Sequence, residues 1–101
     1  MILSNLINKL KEPALQDYLS KYAITDLWLF GSYSRNEQTE KSDIDLLFKY
    51  DKNQKQLSLF DLVDMQTYLG KKLGKKVDLI EKSSLKKSLR AYVLADLKKI
   101  I

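Results

Sequence analysis

The chain has 101 residues, 45% of them apolar, and 18 Lys and Arg against 13 Asp and Glu give a net charge of +5; this suits one packed domain whose surface mildly attracts polyanions. It holds neither cysteine nor histidine, which excludes disulfides, a zinc site of the usual ligands, a Ser-His-Asp triad, a Cys nucleophile and a His acid–base. Chemistry is left to carboxylates, Lys, Ser, Tyr and any metal the carboxylates bind.

In chain order, Leu3, Leu6, Ile7 and Leu10, then Leu15, Tyr18, Leu19 and Tyr22, recur at helical spacing. Pro13, between the two sets, marks the start of a helix near Ala14 or a kink in a longer one. "DLWLFG", Asp26 to Gly31, is an apolar run closed by glycine and predicts a strand buried on both faces. "SDIDLLFKY" alternates instead, with Asp43, Asp45 and Leu47 on one face and Ile44, Leu46 and Phe48 on the other. The two carboxylates then emerge side by side, about 6.6 Å apart along a strand.

After the polar loop "DKNQKQ", a helix is expected from Leu57 to Leu73, with Leu62, Met65, Leu69 and Leu73 on one stripe and Gly74 as its stop. "KKVDLIE" alternates again and puts Asp78 opposite Val77 and Leu79. Ser83 is expected to cap a closing helix whose stripe is Leu85, Leu89, Tyr92, Val93, Leu97 and Ile100, packed on its own sheet. The order of elements predicts an α/β or α+β sandwich, residues 1–101 as a single domain, with a small sheet of at least three strands. No apolar run is of membrane-spanning length, and "MILSNLINKLKEP" lacks the pattern of a cleaved leader, so a soluble cytoplasmic protein is expected.

Gly31 ends a strand and Ser32 opens a turn, so the amides that follow lack intrahelical partners and suit an anion. Glycine lets a backbone approach a phosphate closely, although a Gly-Ser pair also suits a plain turn. Asp43 and Asp45 repel one another unless a cation intervenes, and oxygen-only ligands favour Mg²⁺ or Mn²⁺; the same pair also fits a solvated sheet edge. Asp78 faces the same cleft if its strand neighbours that of Asp43. A Gly, a Ser and two Asp at fixed offsets coincide by chance in a chain of this length on the order of once in a thousand.

"GSYSRNEQTEKSDID" resembles the Gly-Ser, ten residues, Asp-x-Asp signature of the DNA polymerase β nucleotidyltransferase superfamily. The whole chain resembles the minimal nucleotidyltransferases, down to "GKKVDLI" and the closing "LRAYVLADLKKI". The resemblance implies a small mixed sheet flanked by helices, with ATP as substrate and two Mg²⁺ ions. It assigns Gly31 and Ser32 to the triphosphate, and Asp43, Asp45 and Asp78 to metal and catalysis. Arg35 matches an arginine of the family's loop that either steadies phosphate or pairs with an acidic neighbour. Tyr33 and Asn36 depart from the frequent Arg and Gly, although Asn tolerates a left-handed turn.

Minimal nucleotidyltransferases are commonly encoded beside HEPN-domain ribonucleases and act as antitoxins, some by moving AMP from ATP onto a toxin tyrosine. The resemblance therefore implies a protein adenylyltransferase antitoxin with a HEPN toxin as partner. Alternatives are a module that neutralises its partner by occlusion, or a small-molecule nucleotidyltransferase of the antibiotic-modifying sort. Nucleic acid is not expected as the primary ligand, because no basic patch is interleaved with exposed aromatics.

Overall fold

In the computed structural model, which describes residues 1–101, four helices and four strands follow one another as α1 (Leu3–Leu10), α2 (Pro13–Ser20), β1 (Ile24–Phe30), β2 (Ile44–Tyr50), α3 (Leu59–Leu73), β3 (Val77–Glu81), α4 (Lys87–Ala95) and β4 (Lys98–Lys99). The strands form one mixed sheet in the order β3-β2-β1-β4. β1 runs antiparallel to both β2 and β4, while β2 and β3 are parallel and joined through α3. No helix is long and apolar enough to cross a membrane.

Local chemistry accounts for the helix ends. Pro13 occupies the first turn of α2, where its missing N–H costs nothing. Ser58 accepts a hydrogen bond from the Asp61 amide while the Asp61 carboxylate accepts one from the Ser58 amide, a reciprocal cap that sets the start of α3 two residues later than its apolar stripe suggests. Gly74, at φ 71°, ends the helix in the left-handed conformation expected of it.

The helices α1, α2 and α3 cover one face of the sheet. Leu6, Leu10, Leu15, Leu19, Met65, Leu69 and Leu73 from the helices pack with Leu27, Leu29, Ile44, Leu46, Phe48, Val77 and Leu79 from the strands in one buried cluster. Cross-strand pairing then puts Trp28 and Phe30, Asp45 and Leu47, and Asp78 and Ile80 on the opposite face. β1 is accordingly not buried on both faces: Leu27 and Leu29 are inaccessible, whereas Trp28 and Phe30 keep partial exposure. On that second face the Trp28 ring receives the ammonium groups of Lys82 and Lys99, 5.0 and 5.8 Å from its centre.

The end of the chain differs from the sequence expectation. Ser83 does not cap a helix; its hydroxyl donates to Glu81 within a short 3-10 turn, Lys82–Ser84, and α4 starts only at Lys87. α4 buries no residue, with Tyr92 79% exposed, so its stripe does not pack on the sheet. The helix stops at Ala95 and the chain turns back along β1, where the Ile100 amide donates to the Leu27 carbonyl and the Leu27 amide to the Ile101 carbonyl. Pairing with an otherwise bare edge outweighs one more helical turn. Ile100 therefore reaches the core from the edge of the sheet. Ile100→Ala is expected to cost about 2 to 4 kcal/mol in a denaturant titration, as for other buried aliphatic truncations.

Candidate active site

The site is built on the open face of the sheet, where β1 ends and β2 and β3 begin. Phe30, the last residue of β1, is the cross-strand partner of Asp45, and Asp45 is in turn the register partner of Asp78 on β3. The condition that Asp78 should lie beside the Asp43–Asp45 strand is met. Adjacent strands lie about 4.8 Å apart, so these two carboxylates rise from the sheet side by side. Asp43 precedes β2 at the rim, partly exposed, with Lys76 Nζ 3.9 Å from its Oδ2.

Gly31 closes β1 at φ 77°, a left-handed conformation that glycine adopts without strain. A side chain there would run into the Asp45 carboxylate. The glycine thus brings the backbone of the turn against the central carboxylate. Beyond it the Ser34 and Arg35 amides donate to the Gly31 carbonyl and the Glu37 amide to that of Ser32, whereas the amides of Ser32 and Tyr33 make no backbone bond. Tyr33 is fully buried, so the Ser32 amide is the free, accessible donor beside the glycine that suits a phosphate oxygen. Asn36, at φ 57°, completes the turn in the left-handed form that its side chain tolerates.

Tyr33 does not point into this site: its ring is fully buried in the core, and its hydroxyl has no hydrogen-bond partner. Arg35 also points elsewhere. Its Nη1 donates to Asp96 Oδ2 at 2.6 Å, and its Nε lies 3.5 Å from Glu37, so of its two sequence-level roles the acidic pairing is the one seen here. Asp96 follows α4, and the pair ties the Gly-Ser turn to the C-terminal end of that helix. No sequence pattern reveals it, because 61 residues separate the partners. Both groups are partly exposed, so Asp96→Asn should leave the melting temperature nearly unchanged; proteolysis between residues 85 and 97 should quicken if the pair restrains α4.

The electrostatics of the carboxylates follow from this placement. Burial pushes the Asp45 carboxyl up from its ordinary 3.8 to about 6; Asp78 and then Asp43 add to the rise, while Arg35 opposes it. A cation would relieve all three raising effects at once. The donors are oxygens only, which suits Mg²⁺. The acidic side chains do not converge into a closed metal cluster of three or more ligands. That geometry still fits magnesium, which commonly takes one or two protein carboxylates and fills its other positions with water and phosphate oxygens.

A mixed four-stranded sheet that joins a glycine turn to strand-borne carboxylates defines the nucleotidyltransferase class, and the chain belongs to the nucleotidyltransferase domain family, which it matches over residues 7–101. A Methanocaldococcus jannaschii protein, provisionally named a protein adenylyltransferase, is 48% identical over 65 residues, 64% of this chain and 63% of its own length. The protein adenylyltransferase MntA of Thermococcus cleftensis is 36% identical over 76 residues, which cover 75% of this chain and 74% of MntA. Among solved structures, a toxin–antitoxin crystallised with AMP-PNP superposes with a TM-score of 0.74 at 25% identity, over 94% of this chain and 72% of that one. This chain thus spans slightly less than two thirds of the M. jannaschii relative.

Proposed function

We propose that this protein is a magnesium-dependent protein adenylyltransferase that moves AMP from ATP to a tyrosine hydroxyl of a HEPN toxin and thereby acts as its antitoxin. The observation that carries the reading is the contact between the Gly31 turn and the Asp45 carboxylate, with Asp78 alongside. A free Ser32 amide beside a carboxylate pair that calls for a cation is what a metal-bound triphosphate requires. The adenylyltransferase names of the relatives and the AMP-PNP in the structural neighbour support the choice of ATP. The toxin–antitoxin pairing in that neighbour supports a toxin as the partner.

In this mechanism the Gly31 turn, the free amide of Ser32 and the Ser32 hydroxyl hold the triphosphate. Asp43, Asp45 and Asp78 would hold magnesium, as two ions, which neutralises charge on the triphosphate and on the carboxylates. The acceptor oxygen forms a bond to the α-phosphorus as the bond from that phosphorus to the α–β bridging oxygen breaks. The bond's electrons leave with pyrophosphate. The hydroxyl proton passes to Asp78, a role open to a carboxylate within reach. Arg35 joins the triphosphate by exchanging Asp96 for a phosphate oxygen.

The test is incubation with α-labelled ATP, Mg²⁺ and a HEPN toxin encoded beside the gene. Label on a toxin tyrosine, lost in Asp43→Ala/Asp45→Ala, is the expected outcome. Full inhibition of the toxin by that double variant, without label, would establish occlusion in its place. Label on an aminoglycoside but not on protein would move the acceptor to small molecules.

A further inference from the structure

The carboxylate-bearing face continues past Asp45 through Leu47 to Lys49, and at that end a cavity of about 370 Å³ opens beside α4. Lys49, Lys52, Lys82 and Arg90 line it against a single carboxylate, Glu81. Glu81 pairs with Lys52 at 3.3 Å, whereas Lys49, Lys82 and Arg90 have no ion-pair partner anywhere in the chain. Lys82 Nζ lies instead 5.0 Å from the centre of the Trp28 ring, and Trp28 is the cross-strand partner of Leu47. Lys49 and Lys82 therefore share a face with Asp45 and Asp78. Leu85 and Leu94 supply an apolar wall, so a charge placed there is partly shielded from water.

We propose that this cavity docks the acceptor polypeptide by taking an acidic side chain about four residues from the hydroxyl that is adenylylated. The spacing follows from strand geometry. Asp45 and Lys49 are four residues apart, about 13 Å, and an extended acceptor that passes over the buried Leu47 between them advances by about 3.4 Å per residue. The chemistry follows from charge: three cations without a direct ion pair, of which Lys49 acts on Asp26 across the strand pair and Lys82 rests on Trp28, disfavour a basic segment, while a carboxylate gains charge-assisted hydrogen bonds and is steered in from solution. A peptide fits better than a nucleic acid, because Lys82 and Lys99 lie over the Trp28 ring, which is thus not bared for base stacking.

The proposal rests on the adenylyltransferase reading for what the docked segment is for, but docking can be measured without transfer. Trp28 is the only tryptophan, so its emission reports on this end of the face. The intact protein is titrated with a nonapeptide holding one tyrosine and two glutamates four and five residues after it, and with the same peptide carrying glutamines in their place. The glutamate peptide should change the emission saturably and bind at least tenfold more tightly than the glutamine peptide. That preference should vanish in Lys82→Glu/Arg90→Glu, and equally in Lys49→Glu/Arg90→Glu, which keeps the Lys82–Trp28 contact.

Calorimetry with ATP and Mg²⁺ should give unchanged nucleotide binding in both variants, which also verifies that they fold. Affinities within twofold for the two peptides would overturn the pocket. So would undiminished glutamate-peptide binding by either charge-reversed protein, or tighter binding of a single-stranded DNA nonamer than of the glutamate peptide. Selective docking with no label transferred to any hydroxyl would support the pocket and count against the transferase reading.

Discussion

Asp45→Asn is expected to abolish nucleotidyl transfer and at the same time to make the metal-free protein more stable at neutral pH. Loss of a group that organises charge at a reacting phosphate lowers turnover by roughly 10²- to 10³-fold or more. The stability gain has a separate cause. The Asp45 carboxyl is raised to about 6 in the folded chain against an ordinary 3.8, because burial and then Asp78 and Asp43 disfavour its charge. The folded state therefore binds the proton more tightly than the unfolded state does. The stability tied to that proton is fully present below about pH 4 and is lost as the pH rises through about 6. Asparagine removes that loss.

At pH 7.5 in EDTA the gain should be roughly 1 to 2 kcal/mol once solvent screening of a half-exposed group is allowed for. In a domain of this size that raises the melting temperature by roughly 5 to 10 °C. Thermal melts of parent and variant at pH 4 and pH 7.5 test this: the gap should be wide at the higher pH and small at the lower. An equal gap at both values would mean that Asp45 is not held against its charge. Saturating Mg²⁺ should narrow the neutral-pH gap by stabilising only the parent.

Gly31→Ala is expected to destroy the site while leaving most of the fold. The methyl group meets the Asp45 carboxylate, and φ 77° is unfavourable for any residue with a Cβ. The conformational cost alone is about 1 to 2 kcal/mol, and relief of the clash has to move either the turn or the carboxylate. Either shift separates the free Ser32 amide from Asp45. Calorimetry should detect no binding of ATP with Mg²⁺ to Gly31→Ala at concentrations that saturate the parent. Circular dichroism at 25 °C should show the parent's secondary structure. Gly74→Ala is the control: it has a similar φ, 71°, but open space around the added methyl. It should lose comparable stability and keep nucleotide binding.

The two substitutions also mark what was legible in the sequence. Gly31 and the two carboxylates of "SDID" were readable because each depends on its neighbours: a glycine ends an apolar run, and alternation within one strand puts Asp43 and Asp45 on one face. Asp78 was readable only as a condition, since alternation oriented it but could not name the strand beside it. The closing segment misled for a related reason. Leu85 to Ile100 repeats at helical spacing throughout, and no residue within it announces that pairing with β1 will claim the last turn.

Local periodicity thus determined, from the sequence alone, the core-facing stripes of α1, α2 and α3, the glycine turn, and the position of the two aspartates at the start of β2. Three-dimensional packing decided the strand order β3-β2-β1-β4, the register that sets Asp78 against Asp45, and the capture of Ile100 by the sheet edge. It also decided the Arg35–Asp96 pair and the gathering of Lys49, Lys82 and Arg90 around one cavity. Dihedral preferences and side-chain spacing act over a few residues and are written along the chain. Which strand lies beside which, and which charges meet, depends on contacts between segments tens of residues apart, whose energies exist only once the sheet has formed.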